Sequence, residues 1–238
     1  MSKNAKSSFD LSFKEMSSTG SAKLTQSDIA YGKLKKLILD GILSSGNQLL
    51  EQEAAEKLSM SRTPVREAMI RLQQEGMVEI RPRHGMRVLP VSAEDMREIY
   101  QVLTSLEGTA VALLAENGIS KSQISALNNA LDVMDDALLK DDLRAWADAD
   151  ELFHSKLVEF SANKRLINMV SQLWEQSHRS RLITLRMRPK PTDSNQEHRQ
   201  LVEAILSRDA VLARELHETH RKKAGKTLIQ LLTELGNP

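Results

Sequence analysis

Apolar residues recur at helical spacing early in the chain and predict two helices. The first helix starts at the capping-box-like sequence 25–28 and ends at Asp40-Gly41, where glycine permits a left-handed stop. Its apolar stripe consists of Ile29, Leu34, Leu37 and Ile38. A short loop follows at 44–47, and residues 51–58 form a second, shorter helix.

The next segment combines a third helix with a hairpin. Ser61 is a suitable N-cap for this helix, because its side chain can accept from first-turn amides, and Gly76 ends it. The inward positions are Val65, Ala68, Met69 and Leu72. Strand-like runs at 77–80 and 86–89 flank a turn that contains Gly85. Three helices followed by a hairpin predict a winged helix-turn-helix over residues 23–90.

The rest of the chain has helical periodicity only. We predict an all-α helical bundle over residues 91–238, so that the fold class is mainly α. The predicted helices cover residues 92–116, 120–140, 142–161, 164–186, 194–207 and 209–234. Residues 1–22 are serine-rich without periodicity, and we predict a disordered tail there.

The amino-acid composition excludes several kinds of functional site and classes of protein. The 238 residues include no cysteine, which excludes disulfides, cysteine zinc fingers, iron–sulfur sites and a cysteine nucleophile. Aromatic residues make up only 3%, so that aliphatic residues and Met must build the core, as helices prefer. No apolar run approaches the roughly 18 residues of a membrane span, and no secretory signal is visible. We therefore expect a cytoplasmic protein with no membrane partner.

The net charge of +1 averages over two different halves. Residues 23–90 contain 11 Lys and Arg against eight acids, whereas residues 91–238 contain 19 against 22. A basic first half and an acidic second half indicate modules with different partners.

Residues 61–68 (SRTPVREA) are the most specific string in the sequence. Their helix would expose Arg62, Thr63 and Arg66 near its N-terminus, where a recognition helix meets base edges and phosphates. Arginine offers guanine a planar bidentate fork. The hairpin tip, which contains Arg83 and His84, could follow phosphates or enter the minor groove, and Gly85 would allow close approach. From charge alone, a solvated helix face with an ordinary hairpin fits equally well.

As a whole, residues 31–89 resemble the DNA-binding domain of the GntR family of bacterial transcription regulators. The matching residues are Gly41, Leu50, Ser61–Ala68, Arg71-Leu72, Glu75-Gly76, Arg83, Gly85 and Val88. The resemblance implies that Arg62 and Arg66 read bases in a double-stranded operator. It also implies that Ser61 and Thr63 bind phosphate and that His84-Gly85 forms the wing tip.

Four residues in the helical half could form a metal site. Asp150 and His154 are four residues apart and share a helix face, and His198 and His220 lie on two later helices. One carboxylate and three imidazoles would suit zinc, nickel or manganese. Taken singly, each histidine is more often an exposed or hydrogen-bonded residue than a ligand.

Residues 95–232 resemble the FCD effector domain of the FadR subfamily of GntR regulators. The matching strings are 150–157 (DELFHSKL), 161–163 (SAN), Glu197-His198, Ala204-Ile205, Asp209-Ala210 and 213–220. They are similar to the metal-binding version of this domain, which implies Asp150, His154, His198 and His220 as ligands of a divalent ion, with zinc preferred. His217 is outside that pattern, and we expect it to face solvent.

The sequence departs from this domain at one position. Many members have an Arg four residues before Glu107 that clamps the effector's carboxylate, but Leu103 stands there, with Thr104 as the nearest polar neighbour. Either the ligand is not a simple carboxylate, or another cation binds it. Arg179, Arg181 and Arg186 lie on one predicted helix and could supply that cation. Alternatively, at least two of them belong to a solvated basic face. Thr104, Arg179 and Arg186 are our candidate effector-binding residues.

The sequence therefore predicts a homodimeric, metabolite-sensing transcription regulator of the bacterial cytoplasm, associated with the nucleoid when bound to DNA. The expected effector is an organic acid bound beside the metal. The sequence does not show whether this effector releases or promotes DNA binding; repression relieved by the ligand is the commoner family behaviour. One alternative is a helical metalloenzyme fused to a DNA-targeting module, although the paired Glu-x-x-His motifs of di-iron bundles are absent. The other is a purely structural metal in a dimerisation module.

Overall fold

The computed structural model of the chain describes residues 24–236, which divide into two compact units at Val91/Ser92. The predicted tail at 1–22 lies outside the described residues. The first unit contains helices α1 (Gln26–Leu39), α2 (Glu51–Leu58) and α3 (Arg62–Gln74). Its strands are β1 (Gln48–Leu49), β2 (Val78–Arg81) and β3 (Gly85–Val88).

The helices of the first unit begin and end where local chemistry requires it. Thr25 caps α1 in a reciprocal capping box with Asp28, and Gly41 follows the helix with φ +72°. The apolar face of α3 is fully buried through Val65, Ala68, Met69 and Leu72. These predictions from the sequence are confirmed.

The sheet of the first unit has one more strand than the sequence predicted. Strand β3 lies between β1 and β2 and pairs antiparallel with both. The two residues of β1 carry too short a pattern to be recognised, and their position depends on pairing with Arg87 and Met86. Three helices with this small sheet form the winged helix-turn-helix.

The second unit contains only helices among its described residues. They are α4 (Ala93–Asn117), α5 (Lys121–Leu139), α6 (Leu143–Phe160), α7 (Lys164–Thr184), α8 (Thr192–Leu206) and α9 (Ala210–Glu234), with a 3-10 turn at Leu185–Met187. Most bounds agree with the prediction within one or two residues. The helix predicted over 164–186 ends earlier, at Thr184, where its backbone tightens into the 3-10 turn.

The core of this bundle is aliphatic, as the composition indicated. It is built mainly from Leu, Ala, Val and Met, with Trp146 and Phe153 as the bulky exceptions. Long helices packed around such a core can position polar side chains toward a shared interior. No described helix is long and apolar enough to cross a membrane.

Candidate nucleic-acid interface and metal centre

The N-terminal turn of α3 presents the residues that the sequence singled out for DNA. Ser61 is the N-cap, as predicted, but its side chain makes no capping hydrogen bond. Ser61, Arg62, Thr63 and Arg66 are all exposed. Since the first amides of a helix have no intrahelical partners, this turn can accept an anion through backbone and side chains together.

One acidic residue organises the two arginines of this turn. Glu51, the first residue of α2, lies 3.4 Å from Arg62 Nη2 through Oε2 and 3.5 Å from Arg66 Nε through Oε1. Both arginine side chains remain 69% exposed. The contact therefore restrains the guanidinium groups without burying them, and the sequence pattern gave no sign of it.

The hairpin tip is exposed as predicted, but its glycine has a different role from the one that we expected. Arg83 and His84 are exposed, and Arg83 adopts φ +66°. Gly85 has φ +70°, and a Cβ there would lie 2.2 Å from the backbone oxygen of Leu49. The glycine thus permits the close approach of β1 to β3 within this unit, which is a reason for Gly85 that the sequence did not show.

The four predicted metal ligands converge in the interior of the helical unit. Asp150 and His154 come from α6, His198 from α8 and His220 from α9. Asp150 Oδ1 lies 3.6 Å from His154 Nε2 and 3.7 Å from His198 Nε2, and the Nε2 atoms of His198 and His220 are 3.2 Å apart. The three imidazoles can each offer one nitrogen to a single cation.

The polar atoms of this cluster fit a metal. Neither ring nitrogen of His154 hydrogen-bonds to a described residue, although the side chain is only 1% exposed. Buried polar atoms are normally paired, so such nitrogens indicate a ligand. One carboxylate with three imidazoles is a donor set that zinc, nickel and manganese accept.

The protonation of the cluster also suits a cation. Burial, together with neighbouring His220 and His154, holds the pKa of His198 well below its usual value. Burial raises the pKa of Asp150, but His154, His198 and Arg181 outweigh it, and the pKa lies well below the usual range. Metal ligands must be neutral imidazoles and ionised carboxylates, as both shifts favour.

Glu197 supports His220 from outside the cluster. Its Oε2 lies 2.7 Å from His220 Nδ1, and Lys223 Nζ lies 2.8 Å from its Oε1. The bond to His220, opposed by burial and assisted by Lys223, lowers the pKa of Glu197 to about 2. A carboxylate on the second ring nitrogen fixes the orientation of a liganding histidine and leaves Nε2 toward the cluster.

The expectation that His217 faces solvent is wrong. His217 is 1% exposed, and its Nε2 lies 3.1 Å from Glu107 Oε2. Arg221 pairs with the same carboxylate: its Nη2 donates to Oε1 at 2.8 Å, and its Nε lies 2.6 Å from Oε2. Although Glu107, His154 and His217 could also hold a cation, a guanidinium already occupies both oxygens of Glu107, so the Asp150 set is the better metal site.

The expectation of a solvated basic face is wrong for two of the three arginines on the predicted helix. Arg179 and Arg181 are buried on α7, whereas Arg186 is exposed on the 3-10 turn. Arg181 Nη1 lies 3.3 Å from Asp150 Oδ2, and Nη2 is paired with Glu151. A bundle interior that contains several acids can accommodate cations that a helical wheel assigns to the surface.

On α4, the position of the expected effector clamp, four residues before Glu107, is occupied by Leu103. Leu103 is buried in the core, and Thr104 is also buried. Arg188 is the cation that sequence reasoning missed: it is half-buried and hydrogen-bonds to Thr184 Oγ1 and to the Arg181 carbonyl. Arg188 lies in an irregular segment after the end of α7 and the 3-10 turn. Because this segment has no periodicity, the sequence could not predict which way the side chain points.

Comparisons with known proteins agree with this architecture. Residues 26–88 match the family described as bacterial regulatory proteins, gntR family, and residues 98–223 match the FCD domain. The "HTH-type transcriptional regulator in the TAR-I ttuE-ttuC' intergenic region" of Agrobacterium vitis is 41% identical over 135 residues, which cover 56% of this chain and 79% of that protein.

Two further proteins cover more of the chain. The HTH-type transcriptional repressor RspR of Escherichia coli strain K12 is 25% identical over 204 residues, which cover 86% of this chain and 89% of that protein. The structure of E. coli McbR/YncC superposes with a TM-score of 0.75 at 25% identity, over 88% of this chain and 99% of that one.

Proposed function

This chain belongs to the gntR family of bacterial regulatory proteins and is a transcriptional regulator with an FCD domain, and on that premise we propose that it is a repressor controlled by a small organic acid bound beside a metal. The observation that carries the metal-dependent part is His154, a buried side chain whose ring nitrogens lack hydrogen-bond partners among the described residues. The relatives reported above are named as regulators, so the enzyme alternative falls away.

The first unit would bind the operator. Arg62 and Arg66 on the exposed turn of α3 would read bases in the major groove, while Ser61 and Thr63 bind phosphate. Two observations support this assignment: the Ser61 hydroxyl makes no capping hydrogen bond, and the guanidinium groups are exposed. Arg83, His84 and Gly85 would follow the backbone or the minor groove at the hairpin tip.

The second unit would hold the metal and the effector. Asp150, His154, His198 and His220 are the proposed ligands, and zinc is the ion that best matches three imidazoles and one carboxylate. The ion would supply a fixed positive charge for an effector oxygen. Arg181, whose guanidinium contacts Asp150 Oδ2, would hold that carboxylate in place.

The switch would act through a homodimer in the bacterial cytoplasm. Two-fold symmetry places two recognition helices on the half-sites of a pseudo-palindromic operator. An effector that binds more tightly to one arrangement of the winged units than to the other shifts operator affinity by its differential affinity. RspR is named a repressor. Its name supports our proposal that this chain represses transcription and that the effector relieves the repression.

Removing two ligands tests the metal assignment. His198→Ala with His220→Ala should leave the purified protein without stoichiometric zinc in elemental analysis, because a metal site needs more than the two donors that remain. His217→Gln is the matched control and should retain the metal, since His217 belongs to the Glu107 pair. Stoichiometric zinc in the double variant would show that the ligand set is wrong.

Metal removal then separates a sensor from a structural site. Chelated protein should still bind operator DNA, selected from a random pool, but should lose its response to the effector. If the metal is only structural, the melting temperature falls and the effector response persists in whatever protein remains folded. A thermal-shift screen of organic, sugar and aromatic acids against zinc-loaded protein identifies the effector.

A further inference from the structure

A line of polar side chains joins the surface of the helical unit to the proposed metal ligands. Lys223 Nζ lies 3.7 Å from Asp193 Oδ2 and 2.8 Å from Glu197 Oε1. The other oxygen of Glu197, Oε2, lies 2.7 Å from His220 Nδ1, and His220 Nε2 lies 3.2 Å from His198 Nε2. Four successive contacts therefore connect an exposed acid to an interior imidazole.

The exposure of these side chains falls steadily along the line. The exposed fraction is 82% for Asp193, 59% for Lys223, 30% for Glu197, 9% for His220 and 1% for His198. Two of the residues that precede the ligands lie on α8 and one lies on α9. The line thus runs from solvent to the interior between these two helices.

The inner end of the line is a group of ring nitrogens without partners. Neither ring nitrogen of His154 hydrogen-bonds to a described residue, and the same holds for Nδ1 of His198. Buried polar atoms are normally paired, so these nitrogens indicate that an ion belongs beside them. An ion that reaches a buried site must exchange its water for protein atoms on the way, and carboxylate oxygens are suitable partners for zinc.

The interior acids of the helical unit cannot capture an ion from water. Glu107, Asp150 and Glu151 are buried, and each already contacts a buried arginine. Glu197 differs from them, because it contacts a proposed ligand and also reaches solvent. A cation that arrives at this face of the unit therefore meets Asp193 and Glu197 before it meets an imidazole.

Lys223 places a positive charge between these two acids. The hydrogen bond to Glu197 raises the pKa of Lys223, so its ammonium group stays charged. An ammonium group repels a divalent cation and occupies the oxygens that would attract it. The contact is exposed and therefore weak, and exposed side chains change rotamer within nanoseconds. Lys223 can thus slow the passage of a metal ion without preventing it.

We propose that Asp193, Glu197 and Lys223 form the entrance through which a divalent metal ion reaches its ligands, and that Lys223 is the gate of this entrance. The two carboxylates hold the incoming ion briefly while Lys223 moves aside, and the ion then passes to the imidazoles. In the described structure Lys223 pairs with these carboxylates and not with a proposed ligand, so it controls how fast the metal binds more than how tightly. This inference rests on the metal site of the proposed function and concerns the rate at which that site fills.

Zinc-binding kinetics test the gate. Full-length, metal-free protein is mixed with zinc in a stopped-flow instrument, and a fluorescent indicator follows the free zinc. Lys223→Gln should speed zinc association about three- to tenfold, because it removes the local repulsion. The gain should shrink as the salt concentration rises, since salt screens exposed charges.

The neighbouring lysine provides a matched control. Lys222→Gln removes the same charge one residue away, where the ammonium group pairs with Glu218. Its association rate should stay within about twofold of wild type, because only the general attraction of the protein for cations changes. Equal association rates for Lys223→Gln and Lys222→Gln would overturn the gate.

Substitution of the acids tests the path itself. Asp193→Asn should slow zinc association several-fold and leave the dissociation constant within about twofold of wild type, since Asp193 contacts Lys223 and lies outside the ligand set. Glu197→Gln should also slow association, and it should weaken zinc binding as well, because Glu197 orients His220. Wild-type association rates in both variants would show that the metal enters elsewhere.

The amount of zinc bound at equilibrium separates this inference from the proposed function. Wild-type protein that takes up no stoichiometric zinc would refute the metal site and its entrance together. Stoichiometric zinc that associates at one rate in wild type, Lys223→Gln and Asp193→Asn would refute the entrance alone and leave the metal site standing.

Discussion

The two units of this regulator differ in where their charged side chains lie, which is at the surface in the winged unit and in the interior in the helical unit. In the winged unit, Arg62 and Arg66 project into solvent and share one acid, Glu51. In the helical unit, Arg181 and Arg221 are buried against carboxylates beside five buried histidines. Exposed charges cost little and can meet a polyanion such as DNA, whereas buried charges are tolerated only within a complete network.

This contrast separates two kinds of recognition. An exposed arginine can change its rotamer to follow a phosphate or a base, and its contribution depends on salt. A buried network is pre-organised, so it responds strongly to one missing or added charge. We therefore expect substitutions in the helical unit to change stability, and those in the winged unit to change DNA affinity with little effect on folding.

Breaking the buried Glu107–Arg221 pair should have the largest effect. Arg221→Met leaves Glu107 ionised without its cation and should destabilise the helical unit by about 3–5 kcal/mol. Urea unfolding followed by tryptophan fluorescence reports this, since Trp146 and Trp174 both lie in that unit. Arg97→Met, at an exposed position, should cost under about 0.5 kcal/mol. A loss below about 1 kcal/mol at Arg221 would contradict the account.

Acid should weaken the metal-free helical unit before it affects the winged unit. Burial lowers the pKa of His217 to about 4, so below the ordinary value of 6.5 the unfolded chain binds a proton that the folded chain refuses. Stability should therefore fall between pH 6.5 and 4, by roughly 3 kcal/mol for a shift of this size. Urea titrations at pH 7, 5 and 4 measure the slope.

Glu107 continues this dependence at lower pH. Burial raises its pKa, but Arg221 and His217 overcome that and lower it to about 2, from an ordinary 4.5. Its contribution is present above about pH 4.5 and is lost as the pH falls toward 2. His217→Gln should flatten the upper part of the slope and only reduce this lower part, because Arg221 still lowers the pKa of Glu107. An unchanged slope in that variant would rule out His217 as a source.

Removing one reading arginine should have a smaller effect, confined to DNA. Arg62→Ala or Arg66→Ala should weaken binding to selected operator DNA by about 1–3 kcal/mol and relax base preference at one position. Arg97→Ala controls for the loss of a positive charge elsewhere. Gel-shift titrations at two salt concentrations measure both effects, and wild-type affinity in both variants would exclude α3 as the recognition helix.

The smallest predicted effect concerns Glu51. Exposed ion pairs contribute about 0.2–1 kcal/mol, so Glu51→Gln should lower the melting temperature by only a few degrees. Without its carboxylate, the surface should bind random DNA a few-fold more tightly, while the preference for operator over random DNA falls. Glu56→Gln, at an exposed position of the same helix, is the matched control. A preserved preference would show that Glu51 does not position the arginines.

Features set by local chemistry could be predicted from the sequence. The Thr25–Asp28 capping box, the stop at Gly41 and the exposed turn after Ser61 each depend on a few consecutive residues, and the structure contains all three. Strand β1 could not be predicted, because two residues acquire strand geometry only from their partner β3. Gly85 was predicted at the turn, but its close contact with Leu49 depends on that same pairing.

In the candidate metal centre, too, some features could be predicted from the sequence and others depend on tertiary contacts. Asp150 and His154 share a helix face through their spacing, and resemblance added His198 and His220; the four side chains do converge. His217 was expected to face solvent because it lies outside the ligand pattern, and Arg181 is one of three arginines of which at least two were expected on a solvated face. Their burial depends on acids contributed by other helices, namely Glu107 from α4 and Asp150 with Glu151 from α6.

By itself the sequence determined the helices, the hairpin, the family and the residue types available for DNA and metal binding. These properties follow from periodicity, caps and short motifs, which act over a few residues along the chain. Only the tertiary structure decided which charges are buried together, why Gly85 is required and that Arg188 hydrogen-bonds to a hydroxyl and a carbonyl. The reason is physical: the free energy of a buried charge depends on neighbours that distant segments supply.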